Sequence, residues 1–259
     1  MTRNQNADVE RRDLAGLIAR LADNKNLLGR QYAEWCSSAP TLESAVAAAA
    51  MAQDELGHAR ALYPLLRTLT PDAGPENDPE TRTHLVALSF LQRPFGTWED
   101  FVTANFLIDR AMTLVFEAAQ SSTYEPLAGR SRKALQEERT HMLHGDAWVR
   151  RLAHEGGAVR EALRASLLRA WDEVLCWFGP EGVDDPLVAH GVLDASPDAL
   201  RARFLAAIGP LVVSAGLDLP VREEHEGVWV LTRALPWDQW SDYQIALNDG
   251  GAQVSGTGA

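Results

Sequence analysis

Apolar residues recur on a helical period through most of this chain. Leu14, Leu17, Ile18, Leu21, Leu27 and Leu28 share a face over residues 11–36, which predicts a long amphipathic helix. Ser37-Ser38-Ala39-Pro40 breaks it. A second helix is predicted over 42–69. Its alanine-rich stretch, 45–52, combines high helix propensity with side chains small enough for close helix approach. Pro71, Gly74, Pro75 and Pro79 mark 70–80 as a connector, and a short helical piece is expected over 82–91. Thr97 with Asp100 reads as a capping box that opens a helix over 98–120. Pro126 suits the first turn of the next helix, which Gly156-Gly157 ends. Further helices are expected over 159–178 and from Ser196-Pro197-Asp198 to near Gly216.

After Pro220 the pattern changes. Val228, Trp229, Val230 and Leu231 read as a strand, with Glu226-Gly227 as the turn of a small hairpin-like segment. A short helix is expected over 237–247, and the Gly-rich stretch 248–259 is expected to be a disordered tail. No repeat of solenoid period is present. These elements predict an all-α fold: a four-helix bundle with appended C-terminal helices, forming one domain over residues 1–247.

Charge narrows the function. Among 259 residues, 24 Lys and Arg stand against 36 Asp and Glu, for a net charge of −12. That balance argues against binding a nucleic-acid backbone or an anionic membrane. No apolar run reaches the roughly 18 residues that cross a bilayer. The polar stretch 1–12 reads as neither signal peptide nor anchor. Cys36 and Cys176 are far apart, so no disulfide framework exists and a cytoplasmic setting is expected. Nucleotide and serine-nucleophile motifs are missing. Most histidines, His144 among them, are expected at the surface or in connectors. Trp148, Trp171 and Trp177 are expected in the core or at an interface.

The candidate chemistry lies in two copies of Glu-x-x-His, Glu55 with His58 and Glu138 with His141, on different helices and 83 positions apart. Residues three apart on a helix share a face, so each pair can aim a carboxylate and an imidazole at one point. Two such pairs facing each other in a bundle are the pattern of a carboxylate-bridged dinuclear metal site. One copy alone is usually a solvated helix face. That scheme also asks for one carboxylate from each remaining helix. Asp109, in the apolar setting Asn105-Phe106-Leu107-Ile108-Asp109, is the candidate from the third; its alternative is an ion pair with Arg110 or Arg132. The first helix reads Ala22-Asp23-Asn24-Lys25-Asn26 where a carboxylate is wanted, and Asp23 and Glu34 are expected to face elsewhere.

Residues 52–60 (Ala-Gln-Asp-Glu-Leu-Gly-His-Ala-Arg), Glu137-Glu138-Arg139-Thr140-His141, Trp177-Phe178-Gly179-Pro180, Phe106-Leu107-Ile108-Asp109 and the stretch Trp35–Leu42 resemble the ferritin-like subunits of the phenylacetyl-CoA monooxygenases (epoxidases). The resemblance spans residues 14–245. It implies a ferritin-like bundle and one of two roles. In that family a catalytic, A-type subunit carries a di-iron centre that epoxidises the aromatic ring. A structural, C-type subunit has lost the working site and holds the catalytic one in a stable pair. A small accessory subunit and a flavin/iron–sulfur reductase complete the system.

Carried over by this resemblance, the metal ligands fall on Glu55, His58, Asp109, Glu138 and His141. The first-helix glutamate, counted back from Ala39-Pro40-Thr41-Leu42, falls on Lys25. A protonated Lys25 repels a dication, and can replace it by a salt bridge to Glu55, Asp109 or Glu138. Asp23-Asn24 and Glu34-Trp35-Cys36 also resemble the structural subunit more closely. The expectation is therefore a structural subunit without cofactor, pairing with a homologous catalytic subunit or as a homodimer. A catalytic di-iron oxygenase is the alternative, and a bundle that keeps one metal for stability is a third reading.

Overall fold

The computed structural model describes residues 3–238, and the expected tail 248–259 and nearly all of the helix expected over 237–247 lie outside them. Helix α1 spans Arg3–Glu34 and α2 spans Leu42–Leu69. They run antiparallel, with Arg11 donating to the Leu69 carbonyl at one end and Gly29 against Leu56 towards the other. Thr41 caps α2 by accepting from the Ser44 N–H at 3.2 Å. Helix α3 (Trp98–Thr103) has Thr97 as its N-cap, accepting from the Asp100 N–H as expected. A π-helical turn over Ala104–Asp109 then leads into α4 (Arg110–Ala119). Helix α5 (Glu125–Glu155) ends at Gly156, whose φ of 68° suits glycine. These four lengths of helix form the bundle, an all-α, ferritin-like arrangement.

Helices α6 (Gly157–Trp177), α7 (Pro186–Ala189) and α8 (Pro197–Ser214) are appended to it. Strands β1 (Val221–His225) and β2 (Val228–Leu231) form an antiparallel hairpin on α8. There Trp229 occupies the space a side chain at Gly209 would need. Trp148, Trp171 and Trp177 are all buried. No helix among the described residues is long and apolar enough to cross a membrane.

The helix expected over 82–91 does not form; only a 3₁₀ turn over Ser89–Gln92 appears. The physical reason is competition for backbone donors. Asp23 accepts from the Val86 N–H at 2.8 Å and Asn24 accepts from the Leu88 N–H at 2.9 Å. Glu173 of α6 takes the N–H groups of Ser89 and Phe90. Gln31 holds the carbonyls of Leu91 and Arg93 and the N–H of Phe95. The segment 82–97 is thus a strap fastened along α1, its backbone held largely by side chains rather than by its own helix.

Candidate metal centre

Four elements bring the predicted residues together in the middle of the bundle. Lys25 comes from α1, Glu55 and His58 from α2, Asp109 from the π-helical turn, and Glu138 and His141 from α5. All six are buried. Gly29 sets the approach of the first two helices: a Cβ there would lie 2.8 Å from Leu56 Cγ and 3.0 Å from Glu55 Cβ. A larger residue would push α1, and Lys25 one turn earlier, away from Glu55. The π-helical turn, which periodicity cannot reveal, ends at Asp109; such turns recur at functional sites.

Lys25 Nζ lies 2.5 Å from Glu138 Oε1, 2.6 Å from Asp109 Oδ1 and 2.8 Å from Glu55 Oε2. Three N–H donors meet three carboxylates. Burial alone would lower the lysine's pKa, but Asp109, Glu138 and Glu55 outweigh it and hold the group well above the usual lysine range. Asp109 is held well below the usual carboxylate range: burial opposes this, and Lys25 and His141 prevail. Thr113 completes the shell, its hydroxyl 2.9 Å from Glu138 Oε2. Asp109 is not paired with Arg110 or Arg132; Arg110 turns to Asp146 and Arg132 to Glu125.

The two motifs cross over. His141 Nδ1 lies 3.0 Å from Glu55 and 3.2 Å from Asp109, and its Nε2 lies 3.2 Å from Asp54. His58 Nδ1 lies 3.2 Å from Glu138 Oε1, and its Nε2 lies 2.7 Å from Glu137. Each ring therefore has a carboxylate at both nitrogens. An ionised carboxylate only accepts, so both nitrogens of His141 donate and its ring is an imidazolium, whereas His58 donates through Nε2 to Glu137 and its Nδ1 faces Glu138 without a hydrogen bond. Burial opposes positive charge on either ring, yet the neighbouring carboxylates, Glu138 and Glu55 for His58 and Asp109 and Glu55 for His141, raise His58 to about 10 and His141 to about 12. These cationic groups stand against three buried carboxylates, of which Glu55 and Asp109 are lowered while burial and the neighbouring Asp109 push Glu138 up.

Asp54 and Glu137 were not singled out in the sequence. Both directly precede a motif glutamate and lie four residues before a motif histidine, which was the available signal. His144 is also not at the surface as expected. It sits half-buried against Trp98, Phe101 and Trp148, with Nδ1 3.0 Å from Asn105 Oδ1. Burial and the neighbouring His141 push it down to about 4. Asp23 does face away from the cluster, accepting from Arg82 Nε at 2.8 Å and from the Tyr63 hydroxyl at 2.9 Å.

Glu55, Asp109, Glu138 and His141 offer donor atoms that all lie within 4.8 Å of one another, a set that resembles a metal site. His58 stands at its edge, with Glu137. The arrangement does not fit a dinuclear centre. The carboxylate a bundle site needs from α1 is replaced by an ammonium, which occupies the point the other carboxylates share. Both imidazoles would also have to lose a proton before binding a cation.

A family model described as "Phenylacetic acid catabolic protein" matches residues 1–234. The chain is also similar to the C subunit of the 1,2-phenylacetyl-CoA epoxidase of Escherichia coli (strain K12). The two are 26% identical over 246 residues, covering 88% of this chain and 99% of that protein.

Proposed function

The chain belongs to the phenylacetic acid catabolic protein family, and from that premise we propose that it is a non-catalytic, structural subunit of a phenylacetyl-CoA epoxidase. In this reading it binds and stabilises a di-iron catalytic subunit in the aerobic, cytoplasmic breakdown of phenylacetate. The small accessory subunit and the flavin/iron–sulfur reductase belong to the same assembly. The Escherichia coli relative, itself one subunit of an epoxidase, supports the assembly.

One observation carries the structural role: the Lys25 ammonium stands among Glu55, Asp109 and Glu138. A metal would cross-link three helices through those carboxylates. Lys25 cross-links the same helices by hydrogen bonds and charge, so the bundle keeps its geometry without iron. Glu55, His58, Asp109, Glu138 and His141 are then a vestigial metal site, and Lys25 is the charge that replaces the metal.

The test is bound iron per chain, by mass spectrometry of the purified protein, beside a Lys25→Glu variant. Near-zero iron in the parent, with a gain in the variant, is the expected result. Two irons in the parent would overturn the reading and establish the catalytic alternative. One divalent ion that raises the melting temperature without oxygen chemistry would establish a stabilising metal instead.

A further inference from the structure

We infer that the cavity between α2 and α5, beside His58, is a binding site for a small aromatic carboxylate: one ring with an anionic end. On the epoxidase reading above, that ligand is the free acid whose thioester the assembly oxidises. The site itself is argued from the cavity and does not depend on that reading.

The cavity measures about 130 Å³. Its apolar half is built on Leu62 of α2 and Phe116 of α4, both almost fully buried. Gly57, Ala61 and Ala134 supply the room, since larger side chains at these lining positions would fill it. A Cβ at Gly57 would meet nothing within 4 Å. Phe116 also parts the cavity from the central cluster. Its ring centroid lies 5.6 Å from Lys25 Nζ and 6.2 Å from that of His58. An apolar cavity of about 150 Å³ accepts benzene, so this one has space for a single ring and little more.

The polar half is a rim whose free charges have one sign. Arg130 and Lys133, one turn apart on α5, both line it. Neither has a salt bridge or hydrogen bond to any described residue. The two acids that line the cavity are already engaged. Glu137 lies one turn from Lys133 but turns to His58 Nε2 at 2.7 Å, and Asp54 lies 3.2 Å from His141 Nε2. The next charged residue along α2 is Arg60, so that helix brings no further acid here. Two free cations over a ring-sized apolar hollow fit a carboxylate carried on a ring. The guanidinium and the ammonium take the oxygens, and the apolar half takes the ring. A bare anion would leave the hollow unfilled, and a neutral ring would leave the cations unpaired. A thioester carries no carboxylate at that position, so the free acid is the form the rim selects.

The experiment titrates the purified full chain with phenylacetate by calorimetry, beside acetate, which lacks the ring, and 2-phenylethanol, which lacks the charge. The variants are Arg130→Gln with Lys133→Gln, which empties the rim of charge, and Ala61→Leu, which fills the apolar half. Arg139→Gln with Arg150→Gln is the control, removing exposed cations of α5 that do not line the cavity. Melting curves matching the parent certify folding; should Ala61→Leu fail that check, the exposed rim pair decides alone. The expected result is a saturable phenylacetate site with a Kd of about 1 mM or tighter. Acetate and 2-phenylethanol should bind about 10-fold more weakly or worse, and each cavity variant should lose about 10-fold or more. The control should match the parent, and high salt should weaken phenylacetate binding. No saturable binding by the parent, or parent-like binding by a folded cavity variant, would overturn the site. Acetate as tight as phenylacetate would reduce it to surface charge, and 2-phenylethanol as tight would remove the cations from it; either overturns an aromatic-carboxylate site. None of these outcomes touches the structural role, which the iron measurement tests separately.

Discussion

Lys25 Nζ and Glu138 Oε1 lie 2.5 Å apart across 113 residues of sequence, wholly inside the bundle. The contact is one of three that the ammonium makes, each to a different helical element. Removing it leaves carboxylates that cannot be solvated. Lys25→Met should therefore cost about 3–5 kcal/mol of stability at neutral pH, the range for an orphaned buried charge. Urea unfolding checks this. The loss should shrink in acid, where the abandoned carboxylates protonate. A variant as stable as the parent at pH 7 would contradict the proposed cross-link.

The pH dependence has a definite sign. His58 and His141 rise in the folded protein from 6.5 to about 10 and about 12. A raised pKa contributes stability that is complete below the unfolded value and fades as pH rises through the folded one. Asp109 and Glu55 are lowered, so their contribution is present above the unfolded carboxylate values of 3.8 and 4.5 and fades in acid. Melting temperature should peak between about pH 4.5 and 6.5 and fall steadily from 6.5 towards 10. Calorimetric scans across that window test it. A flat profile from pH 6 to 9 would mean the imidazoles are not held as cations.

The sequence carried much of the site and less of its electrostatics. Glu55, His58, Glu138 and His141 were legible because three-residue spacing on a helix forces one face, and Asp109 because an acid among apolar neighbours needs a reason. Lys25 was legible only through alignment with a known pattern. Nothing in helical periodicity says that a lysine near an Asp-Asn pair is the buried one. Asp54 and Glu137 escaped because they become partners only when two helices cross. The same limit hid the strap over 82–97. Its local pattern favours helix over 82–91, and tertiary hydrogen bonds from Asp23, Asn24 and Glu173 override it. The π-helical turn has no periodic signature at all.

Gly29 tests the geometry that delivers Lys25. Gly29→Ala introduces a methyl group 2.8 Å from Leu56 Cγ and 3.0 Å from the α2 backbone. Overpacking of this kind costs about 1–3 kcal/mol. Gly16 and Gly57, helical glycines with nothing within 4 Å, are the controls. Alanine there should gain about 0.5–1 kcal/mol through helix propensity. Equal gains at all three positions would mean that α1 and α2 are not held at this distance.

Asp23 separates the two faces of α1. It lies two positions before Lys25, is equally buried, and serves the strap and its anchor, accepting from Arg82, Tyr63 and the Val86 N–H. Asp23→Ala takes the carboxylate from the largely buried Arg82 guanidinium, leaving it only the Glu76 carbonyl, and leaves the half-buried Val86 N–H without its acceptor, at a cost of about 3–5 kcal/mol. The cost matches that of Lys25→Met, so stability alone cannot tell the variants apart; two other readouts can. Limited proteolysis should cut the Asp23 variant faster within 82–97, since the fastening of that segment is lost while the bundle stays folded. Its decline in melting temperature from pH 6.5 towards 10 should keep the parent's slope, because His58 and His141 retain their carboxylates. Lys25→Met should do the reverse: strap cleavage at the parent's rate and an altered pH profile. If Asp23→Ala also changed the alkaline slope, the strap and the central cluster would be one cooperative unit, and α1 would not hold them independently.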